Sequence, residues 1–192
     1  KFVETPLPPS LRNTLAERVV QDMVSAAHPY AALTVSALSD ALQIIAPRPI
    51  LYFVPDTDDL GPYRSDFANQ VCFLEERSPG RNWTETNNTE EVLDAAKDQA
   101  HRFIQKQNLK ARLLDMLVAD WDRHADQWGW GVLDSGGHKY YHIIPRDRDQ
   151  AFFMSGGLIP KLAKLMGMGH INSFKNESRS LKKLNRKSWW FD

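Results

Sequence analysis

Cysteine is almost missing from this sequence: Cys72 is the only one in 192 residues. A disulfide within the chain is therefore excluded, and so is a zinc cluster built on thiolates. Cys72 sits in the run V-C-F-L, which reads as a buried strand, so inert packing is its expected role. An excess of one charge is missing as well. Lys+Arg and Asp+Glu number 24 each, so no overall field recruits nucleic acid. No apolar run reaches membrane-spanning length, and no signal peptide opens the chain. The chain starts at Lys1 rather than Met and reads as a piece of a longer polypeptide, so a missing targeting segment says nothing about the parent. Internal repeats and low-complexity tracts are absent too. What is there is ordinary for a folded domain: 42% hydrophobic and 25% charged residues, enough for a sizeable core.

Proline and apolar spacing divide the chain. Pro6, Pro8 and Pro9 precede a first predicted helix, with Ser10 as its N-cap and Leu11, Leu15, Val19 and Met23 at helical spacing. His28-Pro29 breaks it. A second helix is predicted over about residues 32–42. Pro47 and Pro49 lead into I-L-Y-F-V, a strand closed by Pro55. The following loop, D-T-D-D-L-G, fails the calcium-loop template, because Leu60 stands at the fifth position and Phe67 at the twelfth; it reads as a turn. A second strand is predicted over residues 70–74. The polar connector 75–80 then marks a boundary between a smaller lobe, 1–77, and a larger one, 78–192, unless 1–192 is one compact domain. Asn88 or Thr89 caps a helix over about residues 90–107, and another follows over about 109–119. Leu158, Ile159, Leu162, Leu165 and Met166 predict a last helix, ended by Gly167 and Gly169. Six basic residues between Lys175 and Lys187 read as a solvated helix face in preference to a phosphate or anionic-lipid site. Trp189, Trp190 and Phe191 are expected to pack on this domain or on the rest of the parent.

The most informative stretch is residues 120–153. D-W-D-R-H-A-D-Q-W is followed by two runs rich in aromatic and β-branched residues, 128–133 and 139–144. Asp134-Ser135-Gly136-Gly137 lies between them as turn chemistry, and I-P-R-D-R-D-Q-A-F-F comes after. A hairpin centred on that turn pairs positions summing to about 271. Asp122 then faces Asp149, His124 faces Asp147, and Asp126 faces Pro145. Asp120, Asp122, Asp126, Asp147 and Asp149 meet in one place, where they repel one another unless a cation sits among them. A Mg- or Mn-type site is the expectation, with phosphoryl transfer its leading use. Such chemistry needs a carboxylate to take the acceptor's proton and further oxygens to hold metal against phosphate. Asp122 suits the first task. The Gln127 amide oxygen and Asp147, or Asp149, suit the second. Arg123, Arg146 and Arg148 hold phosphate or pair with the acids, and His124 orients the loop. The bland alternative for either acidic cluster alone is a surface ion-pair network. Their position on both flanks of one hairpin favours a site. Trp121, Trp128 and Trp130 read as core. His138 and His142 share a strand face but lack a third metal partner.

A helix, a D-R-H loop, a hairpin and a metal-type Asp together resemble the atypical protein-kinase-like folds, the HipA-type and spore-coat CotH kinases among them. P-R-D-R-D-Q-A-F-F is most similar to the CotH pattern. The wider pattern runs from S-A-A-H-P-Y-A-A-L through L-L-D-M-L-V-A-D-W-D-R-H-A-D-Q-W to I-P-R-D-R-D-Q-A-F-F. It resembles still more closely a family of Bacteroidetes envelope proteins, in which such a segment lies between a calcineurin-like phosphoesterase and an outer-membrane β-barrel. The likeness covers most of residues 5–190. It implies an α+β fold: a mostly helical kinase-like larger lobe with a β-hairpin, and a truncated small lobe of a helix pair and two short strands. It implies Asp122 as the catalytic-loop base beside Arg123 and His124, and Gln127 in the place of the usual metal-binding Asn. Asp147 is the implied metal-binding aspartate, Asp149 its rival, and Phe152 the downstream aromatic. Glu17 or Asp22 is the implied partner of a nucleotide-binding Lys, and residues 75–77, with Glu75, the implied hinge. ATP and Mg or Mn are the implied cofactors. An unidentified acceptor and the rest of a parent chain are the implied partners, and the cell envelope is the implied location. No glycine-rich loop is present, so the first strands and their Lys are expected upstream of Lys1. Two other readings stay open. One is a degenerate kinase fold serving as a scaffold, favoured by Gln127 and the missing Lys. The other is a two-metal phosphoesterase using His124 and His142.

Overall fold

The computed structural model describes residues 26–80, 82–97, 100–154 and Phe174. The first and last predicted helices, Glu17, Asp22, the basic stretch and the aromatic tail lie outside the described residues. Helix α1, Ala31–Ala41, matches its predicted span closely. Ala31, Val35 and Ser39 recur four apart and form its buried stripe. Its end is closed by Gln43, left-handed at φ +57°, where glycine is the usual residue. The Gln43 N–H donates to the Asp40 carbonyl and the Ile44 N–H to the Ser39 carbonyl.

Strands β1, Ile50–Val54, and β2, Gln70–Leu74, pair antiparallel with Ile50 opposite Leu74. Both were predicted, but they form a ribbon exposed on both faces, and Cys72 is only half-buried there. A 3-10 turn, Asp58–Tyr63, and the short helix α2, Arg64–Phe67, join them. The Arg64 guanidinium donates to the carboxylates of both Asp56 and Asp58. Two of the loop's three acids are thus paired within the chain itself.

The second sheet has the order β3-β5-β6-β4, with β3 at Glu85–Asn87, β4 at His101–Phe103, β5 at Trp128–Ser135 and β6 at His138–Pro145. Only β4 runs parallel to its neighbour, β6. Helix α3, Thr89–Ala95, starts with a reciprocal cap between Asn88 and Glu91. The single helix predicted over residues 90–107 does not form. It is divided into α3, β4 and the first turn of α4, Gln105–Leu117. The cause is tertiary: the Phe103 ring stacks on Tyr141 at 5.2 Å and meets Trp130 edge-on at 5.9 Å, which outweighs local helical preference.

Gly136 and Gly137, at φ +58° and +79°, make the two-residue turn of the β5–β6 hairpin. Positive φ at both positions is what a turn of this twist demands. Trp128 lies opposite Pro145, so paired positions sum to 273 and the register is two residues away from the predicted one. Along β5 the sequence W-G-W-G alternates. Trp128 and Trp130 enter the core. Gly129 and Gly131 face Arg146 and Trp83, which lie so close that an added Cβ would come within 2.2 and 2.4 Å of them. One apolar cluster, including Val35 of α1, Leu114 of α4, and Trp128, Val132 and Ile143 of the sheet, joins these elements. Among the described residues helix and strand are therefore mixed, at 35% and 25%, without the helical predominance expected from sequence. No helix among the described residues is long and apolar enough to cross a membrane.

Candidate functional site

The open end of the β5–β6 hairpin is built on a buried arginine. Helix α4 stops at Leu117, and Ala119 turns the chain in the left-handed region at φ +53°. The Asp120 N–H then closes back on the Asp115 carbonyl at 2.9 Å. Residues 120–124 lead into a 3-10 turn, Ala125–Gln127, and so into β5. Arg123 points inward from this loop and is fully buried. Its guanidinium stacks over the Trp128 ring, 4.4 Å from the centroid. Nη1 lies within hydrogen-bonding distance of Gln127 Oε1 (3.0 Å) and of the carbonyls of Arg146 (2.6 Å) and Asp147 (3.2 Å). Nη2 donates to the Gln127 carbonyl at 2.9 Å. One side chain therefore ties the loop before β5 to the loop after β6.

Behind it lies a network of like and unlike charges. Arg123 meets Asp115 at 3.6 Å and Asp120 at 3.5 Å. Arg148 reaches Asp115 at 2.9 Å and donates to Ser39 Oγ at 3.0 Å, which ties α1 to the network. Arg112 meets Asp115 at 3.6 Å. Asp115, Asp120, Arg112, Arg123 and Arg148 are all buried. Neither Asp120 oxygen has a hydrogen-bond donor among the described residues, so its contact with Arg123 is purely ionic. Burial accordingly pushes the Asp120 carboxyl up to about 7, against the pull of Arg123. Burial likewise lowers the Arg148 guanidinium, which Asp115 partly restores.

In front of Arg123 is a narrow cleft lined by Ser36, Ser39, Glu75, Arg146, Asp147 and Arg148, among others. Asp147 is exposed and left-handed at φ +49°. Gln127 Nε2 faces Asp147 Oδ2 at 3.4 Å. The Glu75 carboxyl is raised first by burial, then by the charge of Asp147, while Arg146 opposes the shift. Arg146 is lowered by burial and by Arg77, and its Nη2 donates to Ser78 Oγ at 3.3 Å. The cleft therefore holds two carboxylates that repel each other beside the Arg146 guanidinium, which Arg77 repels.

Five carboxylates do not converge as expected. Asp120 is drawn into the buried arginine network, and Asp126 stands out in solvent with its side chain 93% exposed, 3.6 Å from His124. Continuing the observed register past Trp128 and Pro145 brings Asp126, rather than His124, opposite Asp147. Among the described residues no three His, Cys, Asp or Glu side chains form a metal-type group. Asp122 and His124 are half-buried in the loop before β5. Asp149 is half-buried, accepts from Gln150 Nε2 at 3.1 Å, and adds to the negative field at Asp120. The structure brings Gln127, Asp147 and Glu75 together around Arg123 and Arg146. Arg123 and Arg148 take the acid-pairing option left open in the sequence. Trp121, Trp128 and Trp130 are buried, as predicted. His142 packs on Trp83 at 5.4 Å, and His138 Nδ1 meets the Ala100 carbonyl at 3.3 Å, so each has a structural role. Sequence reasoning missed Asp115 and Arg112. The available signal was two charges three apart among Ala111, Leu114 and Val118, on the buried face of a helix. No protein-family model and no curated protein matches the chain.

Proposed function

We propose that the chain is a kinase-like, metal-dependent phosphotransferase domain of a bacterial cell-envelope protein, moving phosphate from ATP to an acceptor of unknown identity. The observation that supports this reading best is the grip of buried Arg123 on Gln127 and on the carbonyls of Arg146 and Asp147. It holds the metal-binding pair of the resemblance in one place. In this reading Asp122 takes the proton from the acceptor hydroxyl, and Arg123 and His124 shape its loop. Asp147 and Gln127 hold Mg or Mn, with Asp149 as a further carboxylate nearby. Such an ion would neutralise phosphate charge and polarise the transferring group. The donor set fits it in part: Asp147 offers an exposed carboxylate whose repulsion with Glu75 a cation would relieve. Arg123 and Arg148 are engaged with buried acids, so Arg146, with Arg77 nearby, is the guanidinium left to meet phosphate.

One observation favours the scaffold reading. The Gln127 amide oxygen already accepts from Arg123, which competes with a metal for it. Calorimetry with Mn²⁺ and ATP, on the chain and on a longer piece of its parent, separates the two. The phosphotransferase reading expects binding heat that falls at least about tenfold in affinity in Asp147→Ala, the loss of one strong charged contact. No heat in either protein, with Asp147→Ala unchanged, leaves the scaffold. The geometry gives no support to the phosphoesterase, since His142 is turned onto Trp83.

A further inference from the structure

The β1–β2 ribbon has two open edges. Among the described residues its sheet holds these two strands alone, so the outer backbone N–H and C=O groups of each face no neighbouring strand. Proteins commonly guard such an edge with a charge, a proline or a bulge inside the strand. I-L-Y-F-V and Q-V-C-F-L contain no charge and no proline, and their pairing runs unbroken over all five positions. What an open edge takes is another extended strand, because the hydrogen bonds of the ladder are themselves the contact.

The residues around β1 select which strand. Set antiparallel against itself about Tyr52, β1 is its own complement. Ile50 stands opposite Val54 of the other copy, and Leu51 opposite Phe53. Pro49 stands opposite Pro55, so the ladder stops at the same place in both copies. Arg48 stands opposite Asp56, once at each end. Both are exposed and each is paired within its own chain, Arg48 with Asp40 and Asp56 with Arg64. The contact joins these pairs into a row, Asp40–Arg48–Asp56–Arg64, whose signs alternate. Two rival arrangements lose this match. Parallel pairing in register sets Arg48 against Arg48 and Asp56 against Asp56, and like charges directly opposite are destabilising. β2 set against itself about Cys72 puts Glu75 and Glu76 opposite Asn69 and Ala68, with no cation at either position.

We propose that two copies of this chain associate about a two-fold axis at Tyr52, joining their β1 edges into one antiparallel sheet of strand order β2-β1-β1-β2. The contact uses the backbone edge and leaves the faces of the ribbon open. Five residues a side bury less than the roughly 1,200 Å² of a standard interface, so the dimer is weak. In sedimentation the full chain is expected to be monomeric at about 1 µM and mainly dimeric at about 1 mM. Tyr52 is 45% exposed, so Tyr52→Lys spares the fold; it sets two lysines face to face and is expected to weaken the dimer at least about tenfold. Disulfide trapping reads the register and carries the test should that variant not fold. Opposed residues of an antiparallel pair lie about 4.5–5.5 Å apart at Cα, within reach of a disulfide. The background is Cys72→Ser, which removes the thiol opposite Tyr52 in the ribbon. There Tyr52→Cys is expected to cross-link two chains on mild oxidation. Ile50→Cys alone is expected not to, and Ile50→Cys with Val54→Cys to do so again. A chain still monomeric at about 1 mM overturns the inference and leaves the edge to a strand from elsewhere. So does a dimer that Tyr52→Lys leaves intact, and so does one in which Ile50→Cys alone cross-links as readily as Tyr52→Cys.

Discussion

Two antiparallel strand pairs of similar composition end in opposite surroundings. In the β1–β2 ribbon Phe53 is 57% and Val71 65% exposed, whereas Val132 and Ile144 of the β5–β6 hairpin are fully buried. Backbone pairing is complete in both. The difference lies in what lies against them. Helices α3 and α4 lie on β5 and β6, while the extensive contacts of β1 and β2 are with each other. Strand propensity is enough to make a ribbon, but a second layer is needed to make a core. The covered pair also does what the bare one cannot. Its open end holds three arginines and two aspartates out of water, where each charge depends on its neighbours.

Removing one of those charges should break the contrast most. Arg123→Ala leaves Asp115 and Asp120 buried with one cation fewer and frees both loops. It is expected to cost about 3–5 kcal/mol, read as a lower urea midpoint at unchanged slope. A loss under about 1 kcal/mol would mean that water reaches these carboxylates.

The next effect concerns pH. Burial raises the folded Asp120 carboxyl from its ordinary 3.8 to about 7, so between those values the folded chain keeps a proton that the unfolded chain has released. This contribution to stability is full below the ordinary value and is lost as pH rises through about 7. Asp120→Asn should flatten the stability profile across that window, in urea titrations at several pH values. An unchanged slope would place the titration on another group.

The smallest effects compare the two strand pairs directly. Gly131→Ala drives a methyl group into the Trp83 ring and is expected to cost about 1–3 kcal/mol in a thermal melt. Phe53→Ser on the ribbon should stay within about 0.5 kcal/mol. Equal losses at the two positions would mean that the ribbon is covered in solution.

Much of the fold was legible because it rests on local terms. I-L-Y-F-V and Q-V-C-F-L are β-rich runs bounded by breakers, and they became strands. Asn88, with Glu91 three residues on, became a helix cap. The hairpin register is legible in Gly136-Gly137, the pair that tolerates two successive positive φ values, whereas Asp134 and Ser135, turn-type residues too, belong to the strand. The division of the long predicted helix was not legible, because Phe103 joins the sheet only once Tyr141 and Trp130 are in place.

The candidate site divides in the same way. Gln127 and Asp147 could be brought together from sequence, because a hairpin joins its own flanks whatever lies beneath. That Asp120 turns inward and Asp126 outward could not. Both are aspartates in one short loop, with the same intrinsic preferences. The sequence alone determined where strands, turns and caps fall, since backbone preference acts over a few residues. Only the tertiary structure decided which charges leave water, because burying a carboxylate is tolerable only where guanidinium groups converge on it, and Arg148 arrives from beyond the hairpin to join Arg123 of the same loop.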